Sequence, residues 1–481
     1  MAQPTAEKLP AYAAPAPGGL DDHTSASDTK GDLTQIDSAE VQDFVYVPDT
    51  EEERKLVRKI DIRLIPMLWV MYILNYLDRS NIGNAKVGGM EQDLQLDSTK
   101  YSVVLLIFFI GYLLFEVPSN MILARSRPSL FLPALMFTWG GLSIAPVGIH
   151  NFGGMVAFRF ILGLIEAGFF PGVMLLLSCW YKPRELSKRI ALFYTAALLS
   201  GAFGGLLAGG IISSLNGRSG IAGWRWLFLI EGLMTVFVAV VAVFVLPDYP
   251  ATTKWLTPRE RQLATMRLQA PESQGEEEPH MGHWKAFLAS ISDLKTWVFV
   301  IIYNLINMVG TIQYFYPTLM QSLGYTGKMA QYMTVPIYTV TLVVSVICGF
   351  IADRTHNKGP ITMFGCALAC VSFIITVAVP NDHAKYAFIC FGAAGIWTAV
   401  PCCLSWAVTM FDGREKRGVS IALINGLGNL ASVYGSWFWP SDTAPKYIMG
   451  FALCSGFAGF VFFVTWFAYW RYGDKGVQRK S

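Results

Sequence analysis

What this sequence has least of is charge. Only 15% of its 481 residues are Asp, Glu, Lys or Arg, where an ordinary soluble domain carries about a quarter. A net charge of +3 leaves no basic footprint for nucleic acid. Histidine is scarce too. His23, His150, His280, His283, His356 and His383 each fall in a tail, a loop or the edge of an apolar run, which disfavours a membrane enzyme built on a histidine-metal cluster. No GxxxxGK[ST] phosphate loop occurs, so a nucleotide site has no anchor. No Asn-x-Ser/Thr acceptor occurs, and no leader pattern precedes the first long apolar run. There are eight cysteines, but nearly all sit inside apolar stretches, where a thiol packs as a small hydrophobe. Neither a metal nor another cofactor is expected, and neither is an enzyme.

What the sequence has in excess is apolar surface. Hydrophobic residues make up 53% of the chain, and the mean hydropathy is +0.42. A membrane-crossing helix needs about 20 apolar residues. Twelve runs qualify: 64–87, 101–123, 129–149, 153–180, 190–213, 224–246, 296–320, 331–352, 360–380, 385–410, 418–439 and 447–470. The expected fold is therefore an all-α membrane protein with twelve transmembrane helices. Residues 1–50 read as a disordered tail, 51–247 as one six-helix half and 248–292 as a charged linker. Residues 293–470 form the second half and 471–481 a closing tail. Residues 51–60, EEERKLVRKI, read as a short amphipathic lead-in helix on anionic lipid headgroups.

Basic residues concentrate in alternate loops: Arg125 and Arg127, then Lys182, Arg184, Lys188 and Arg189, then Arg354 and Lys358, then Arg414, Lys416 and Arg417. The positive-inside rule puts these loops, the linker and both termini in the cytoplasm, and the plasma membrane is the expected location. A shift of 229 positions lays Asn304 and Asn307 over Asn75 and Asp78, and Asp353-Arg354 over Ala124-Arg125. Together with the six-plus-six count, this suggests two pseudo-symmetric halves.

Charges inside the spans are costly and point to function. The first half carries Asp78 and Arg79 in NYLDRSN, Glu116 in FEVPSN, then Arg159, Glu166 and Glu231. The second-half spans offer mainly neutral groups, among them Asn304, Asn307, Gln313, Asn425 and Asn429. Arg159 and Glu166 are seven apart, which places them on one helix face. Asp78 and Arg79 are adjacent and point about 100° apart. An arginine in a cavity suits a carboxylate. A carboxylate beside it can take a proton once a substrate draws the arginine away. The alternative is a static ion-pair network pinning span 1 to span 4. Glu116 is expected to clamp a gate, and Glu231 to pair with Arg225 or another first-half arginine. Gly201, Gly205 and Gly209 recur every four residues on span 5, a face for close helix contact. Tyr76, Tyr194, Tyr314, Tyr316, Tyr338, Trp397 and Trp406 are candidate cavity aromatics or packing residues. In GFIADRTHNKG, Asp353 and Arg354 are expected to hold a gate.

GFIADRTHNKG resembles the loop motif of the major facilitator superfamily. LNYLDRSNIGNA, FEVPSNMILARSRPS and RFILGLIEAGFFPGVMLLLSCWY resemble the anion:cation symporter family. The likeness is strongest to its fungal branch of allantoate, nicotinate and related vitamin or carboxylate permeases, over about residues 60–470. The resemblance implies proton-coupled uptake of a small organic anion. It implies that Arg79 contacts the substrate carboxylate, that Asp78 and Glu166 couple protons, and that Arg159 organises them. The first-half loop departs from the superfamily's Gly-x-x-x-Asp-Arg pattern, with Asn120, Ala124 and Arg125; Arg125 is kept as a gating residue. Asn75, Tyr76, Asn304, Asn307 and Asn425 are expected to line the substrate site. The partners are then an organic anion, protons and membrane lipids. An exporter of an acidic metabolite and a nutrient sensor are the alternatives.

Overall fold

The computed structural model describes residues 46–123, 126–253, 255–269, 282–411 and 414–473. The expected tails over 1–50 and 471–481 fall mostly outside these residues, and Arg125 falls outside them entirely.

The first half is built from α1 (Glu51–Ala85), α2 (Ser98–Leu123), α3 (Pro128–Leu142), α4 (Phe152–Glu166), α5 (Phe169–Trp180), α6 (Pro183–Leu215) and α7 (Gly223–Val245). The linker carries α8 (Pro258–Gln269) and α9 (His283–Ile291). The second half comprises α10 (Leu294–Gly310), α11 (Tyr316–Ser322), α12 (Thr334–Thr355), α13 (Gly359–Ala378), α14 (Asp382–Met410), α15 (Arg414–Asn429), α16 (Ala431–Gly435) and α17 (Ile448–Tyr472). Among the described residues, eleven segments are long and apolar enough to cross a membrane. The twelfth expected span, 418–439, is present but broken. α15 stops at Asn429, and α16 and a 3-10 turn over Ser436–Phe438 continue it. The INGLGN stretch at the end of α15 explains the break. Two glycines weaken the helix, and Asn304 Nδ2 donates to Leu427 O at 2.7 Å, taking a carbonyl near the break.

Other spans break as well. Span 4 divides between Glu166 and Phe169. Span 7 passes through a 3-10 turn over Thr311–Phe315. Span 1 ends in a π turn over Lys86–Met90, where Gly89 has φ +107, open to glycine at little cost.

Residues 51–60 are not a separate lead-in helix. They are the first turns of α1, capped by Thr50, whose Oγ1 accepts from Glu53 N at 3.3 Å. Glu53, Leu56 and Ile60 are buried. The linker is likewise more than a polar tether. Arg267 of α8 is fully buried, donating to Glu53 at 2.9 Å, to Trp180 O at 3.2 Å and to Glu185. Lys182 joins Glu53 at 2.7 Å. Burial pushes the Lys182 ammonium down, and its hydrogen bonds to Glu53 and Tyr46 more than reverse this, leaving it raised.

Within the first half α2 packs on α4, α3 on α7, and α1 on both α6 and α7. Within the second, α13 packs on α14 and α17, and α10 on α15. A Cβ at Gly163 would run into Phe108 O, and one at Gly111 into Phe160 O, so α2 and α4 touch backbone to backbone. That contact fixes the face carrying Arg159. The halves meet mainly where α6 lies against α12. There Gly201 faces the Tyr338 ring, Gly205 faces Thr334 and Gly209 faces Tyr332. The small-residue stripe thus serves the seam between halves. Hydrogen bonds across the seam cluster at the end away from the linker: Ser98 to Ser441 (2.6 Å), Tyr101 to Tyr314 O (3.3 Å), Ser102 to Ser436 O (3.1 Å) and Gln331 to Asn84 O (3.0 Å).

Candidate functional site

α1 presents Asn75, Tyr76, Asp78 and Arg79 within about one helical turn. Their side chains divide into two groups. Arg79, 14% exposed, directs Nη2 to Glu166 Oε2 at 3.2 Å. Asn75 donates to the same oxygen at 3.1 Å. The Arg79 guanidinium is ringed by Tyr76 (5.3 Å), Phe108 (5.1 Å) and Tyr112 (5.1 Å). Arg79 Nε and Glu166 Oε1 have no hydrogen-bond partner among the described residues. The site therefore holds a cation and an anion that satisfy each other only in part.

Asp78 turns the other way. It is buried, and its Oδ2 accepts from Trp139 Nε1 of α3 at 3.2 Å and from Thr235 Oγ1 of α7 at 3.0 Å. The adjacency of Asp78 and Arg79 requires this divergence on a helix. The structure thus brings Asn75, Tyr76, Arg79 and Glu166 together and puts Asp78 behind α1.

Arg159 sits on the same side of α4 as Glu166 but does not pair with it. Seven residues of helix separate the two by about 10 Å along the axis. Arg159 is fully buried, donates Nε to Val104 O at 3.3 Å and lies 4.8 Å over the Phe108 ring. Its Nη1 and Nη2 have no partner among the described residues. Both arginines thus lie over the Phe108 ring, at 5.1 and 4.8 Å from its centroid. Tyr314 of the second half lies near enough to act electrostatically on both.

The second-half asparagines bond within their own half. Asn304 holds Leu427 O and accepts from Tyr434 OH. Asn307 donates to Tyr303 O at 2.9 Å, and Asn425 accepts from Tyr303 OH at 3.4 Å. All three are half-buried. The expected gating residues are not assembled into one latch. Glu116 is half-buried, Asp353 and Arg354 are exposed, and none of the three forms an ion pair among the described residues. The loop after α12 is held instead by Asn357 Nδ2 to Tyr469 OH (3.0 Å) and Lys358 Nζ to Ser405 Oγ (2.6 Å). Glu231 does not pair with Arg225. That arginine donates to Ile149 O at 3.0 Å and meets His150 Nδ1 at 3.2 Å.

Sequence reasoning missed Phe108, Tyr112, Trp139 and Thr235. The first three carry no signal that sets them apart from packing aromatics. Thr235 had one, because it stands one turn from Glu231 on the same face.

Compared with known proteins, residues 68–436 match the family profile described as Major Facilitator Superfamily. The chain is 35% identical over 428 residues to "MFS transporter prlL" of Fungal sp. (strain NRRL 50135), covering 86% of each chain. It is 36% identical over 419 residues to "MFS-type transporter cnsO" of Penicillium expansum, covering 84% of this chain and 80% of that one. Among solved structures, an inward-facing, unoccupied bacterial homologue of the human lysosomal transporter Spinster superposes with a TM-score of 0.63 at 16% identity, over 86% of this chain and 95% of the other. A D-xylose-proton symporter gives 0.63 at 15% identity, over 84% and 97%.

Proposed function

Because the chain belongs to the Major Facilitator Superfamily, and is a membrane transporter rather than an enzyme, we propose that it is a proton-coupled symporter of a small organic anion. The class we favour is a monocarboxylate such as nicotinate or a related vitamin or metabolite, as in the anion:cation symporter family. The observation carrying this reading is the Arg79–Glu166 pair, 3.2 Å apart among Tyr76, Phe108 and Tyr112, with one atom of each side chain unpartnered.

An incoming carboxylate competes with Glu166 for the Arg79 fork. A buried Glu166 that loses its cation is stable only if it takes a proton. Anion and proton then enter together. Arg159 supplies a second positive charge that keeps the anion site attractive when Glu166 is ionised. Asn75 and Tyr76 position the guanidinium, while Asn304, Asn307 and Asn425 border the substrate from the second half. Lys and Arg placement puts the linker end in the cytoplasm. The seam contacts near Ser98 and Ser441 then close the outer side, an inward-facing state. A D-xylose-proton symporter shares the fold, which makes proton coupling compatible with this architecture.

The test is uptake of radiolabelled nicotinate and a panel of other monocarboxylates, in cells lacking their own carboxylate permeases, with and without an imposed proton gradient. The wild type should accumulate one of these anions, and a protonophore should abolish the accumulation. Arg79→Ala should lower uptake by roughly thirtyfold or more, the loss expected for truncating a buried charged hydrogen-bond partner at about 2 kcal/mol upward. Uptake indifferent to both the gradient and Arg79→Ala would refute the reading.

A further inference from the structure

The site above leaves one buried acid unused. Glu231 of α7 is 1% exposed, and neither of its carboxyl oxygens has a hydrogen-bond partner among the described residues. It stands one helical turn before Thr235, whose hydroxyl donates to Asp78 at 3.0 Å. α7 and α3 pack closely here: a Cβ at Gly232 would collide with Gly140 O of α3. Ser143, just beyond α3, is also 1% exposed and its hydroxyl is unpartnered among the described residues. It lies near enough to Asp78 to influence that carboxyl.

Among the described residues, no element packed on α7 brings an unoccupied cation to Glu231. From α1, Asp78 acts electrostatically on Glu231, and Glu166 of α4, paired with Arg79, acts in turn on Asp78. α3 and the 3-10 turn over Ala145–Gly148 carry no charged residue. In the π turn, Lys86 lies 4.4 Å over the Tyr101 ring and 4.0 Å from Glu91. On α6 the charged residues lie in its first turns, between Pro183 and Arg189, and Tyr194 faces Tyr72 and Phe170. On α7 itself Arg225 is occupied at Ile149 and His150, about 9 Å further along the axis. Two carboxyls therefore share a pocket with no cation among the described residues. Both cannot be ionised there at tolerable cost.

We propose that Glu231 and Asp78 form a shared proton-binding site between α1, α3 and α7, behind α1 and next to the Arg79–Glu166 anion site. Asp78 and Arg79 are neighbours on one helix turn, so a shift of α1 that moves Arg79 also alters the Asp78–Glu231 separation. The proton-holding property follows from the pocket alone. Its use in transport rests on the proton-coupled reading above.

The experiment uses the full chain reconstituted in lipid vesicles, without substrate. Infrared difference spectra are recorded as pH is stepped from about 5 to about 9, a range wide enough to catch a strongly perturbed carboxyl. A carbonyl stretch from a protonated carboxyl should fade as pH rises, disappear in Glu231→Gln and move along the pH axis in Asp78→Asn. Labelling wild-type protein with carboxyl-13C glutamate should shift the same band, which keeps the test valid if Glu231→Gln fails to fold. A glutamate band that stays constant across the range would mark a permanently neutral packing acid and overturn the proposal. So would a band displaced by sodium at fixed pH, which would make the pocket a metal-cation site. If the band titrates as expected while nicotinate uptake ignores the proton gradient, the site stands and the coupled-transport reading fails.

Discussion

Arg159 is the residue whose presence folding alone does not explain. Its side chain is fully buried, one nitrogen reaches a backbone carbonyl, and the other two nitrogens are unpartnered among the described residues. Such a guanidinium costs several kcal/mol relative to an apolar group of like volume. Methionine would fill the space beside Phe108 and remove that cost. We expect Arg159→Met to leave the thermal midpoint in detergent unchanged or higher, and to lower proton-coupled uptake by about tenfold or more, a loss of roughly 1.4 kcal/mol in binding the anion. Parallel thermal-shift and uptake assays check this. A lowered midpoint with unimpaired uptake would make Arg159 a structural residue. At this scale the sequence was partly legible. Charge inside an apolar span flagged Asp78, Arg79, Arg159, Glu166 and Glu231. Periodicity also required Asp78 and Arg79 to diverge. It held no information on which helix lies behind α1, so Trp139 as a partner of Asp78 was out of reach, and Thr235 was marked only by its place one turn from Glu231.

At the scale of elements, hydropathy located the spans because lipid leaves a helix few alternatives. The interruptions were less visible. The break after Asn429 depends on a partner from another helix, Asn304, taking Leu427 O, and a linear pattern does not show such a donor. The linker misled for a similar reason. Its charges suggest a solvated tether, yet Arg267 is fully buried against Glu53, Glu185 and Trp180 O. α8 is thereby fastened to α1, α5 and α6, at the root of the first half. Lys59 adds a contact to Glu260 at 2.8 Å, but both side chains are about a third exposed, and such a pair contributes roughly 0–1 kcal/mol. Arg267 should dominate. Arg267→Ala leaves Glu53 with Lys182 but strips Glu185 of its buried partner, and is expected to cost about 3 kcal/mol. Lys59→Ala should cost much less. Thermal midpoints of the two variants in detergent give the comparison, and equal shifts would show that α8 is not held by its buried arginine.

At the scale of the whole molecule, the repeat read from Asn75/Asp78 and Asn304/Asn307 predicts two alike halves, but chemically the two sides of the linker are not alike. The first half concentrates the ionic groups; in the second, Asn304, Asn307 and Asn425 bond within their own half. The seam between the halves is lined by glycines of α6 and tied by hydrogen bonds at the end away from the linker. A transporter that exposes its site alternately to two sides must break that seam once per cycle. Ser98 and Ser441 offer a direct handle, since their hydroxyl oxygens are 2.6 Å apart and Ser441 N also donates to Ser98 Oγ at 2.8 Å. Cysteines at both positions would lie within reach of a disulfide. The double variant Ser98→Cys/Ser441→Cys should lose uptake on mild oxidation and regain it on reduction, while each single variant keeps its activity through both treatments. Binding of the transported anion from the linker side should survive the cross-link, because the Arg79–Glu166 pair lies away from the locked seam. Undiminished uptake by the fully cross-linked protein would mean that this end of the bundle need not open, and that the two halves do not rock about the site.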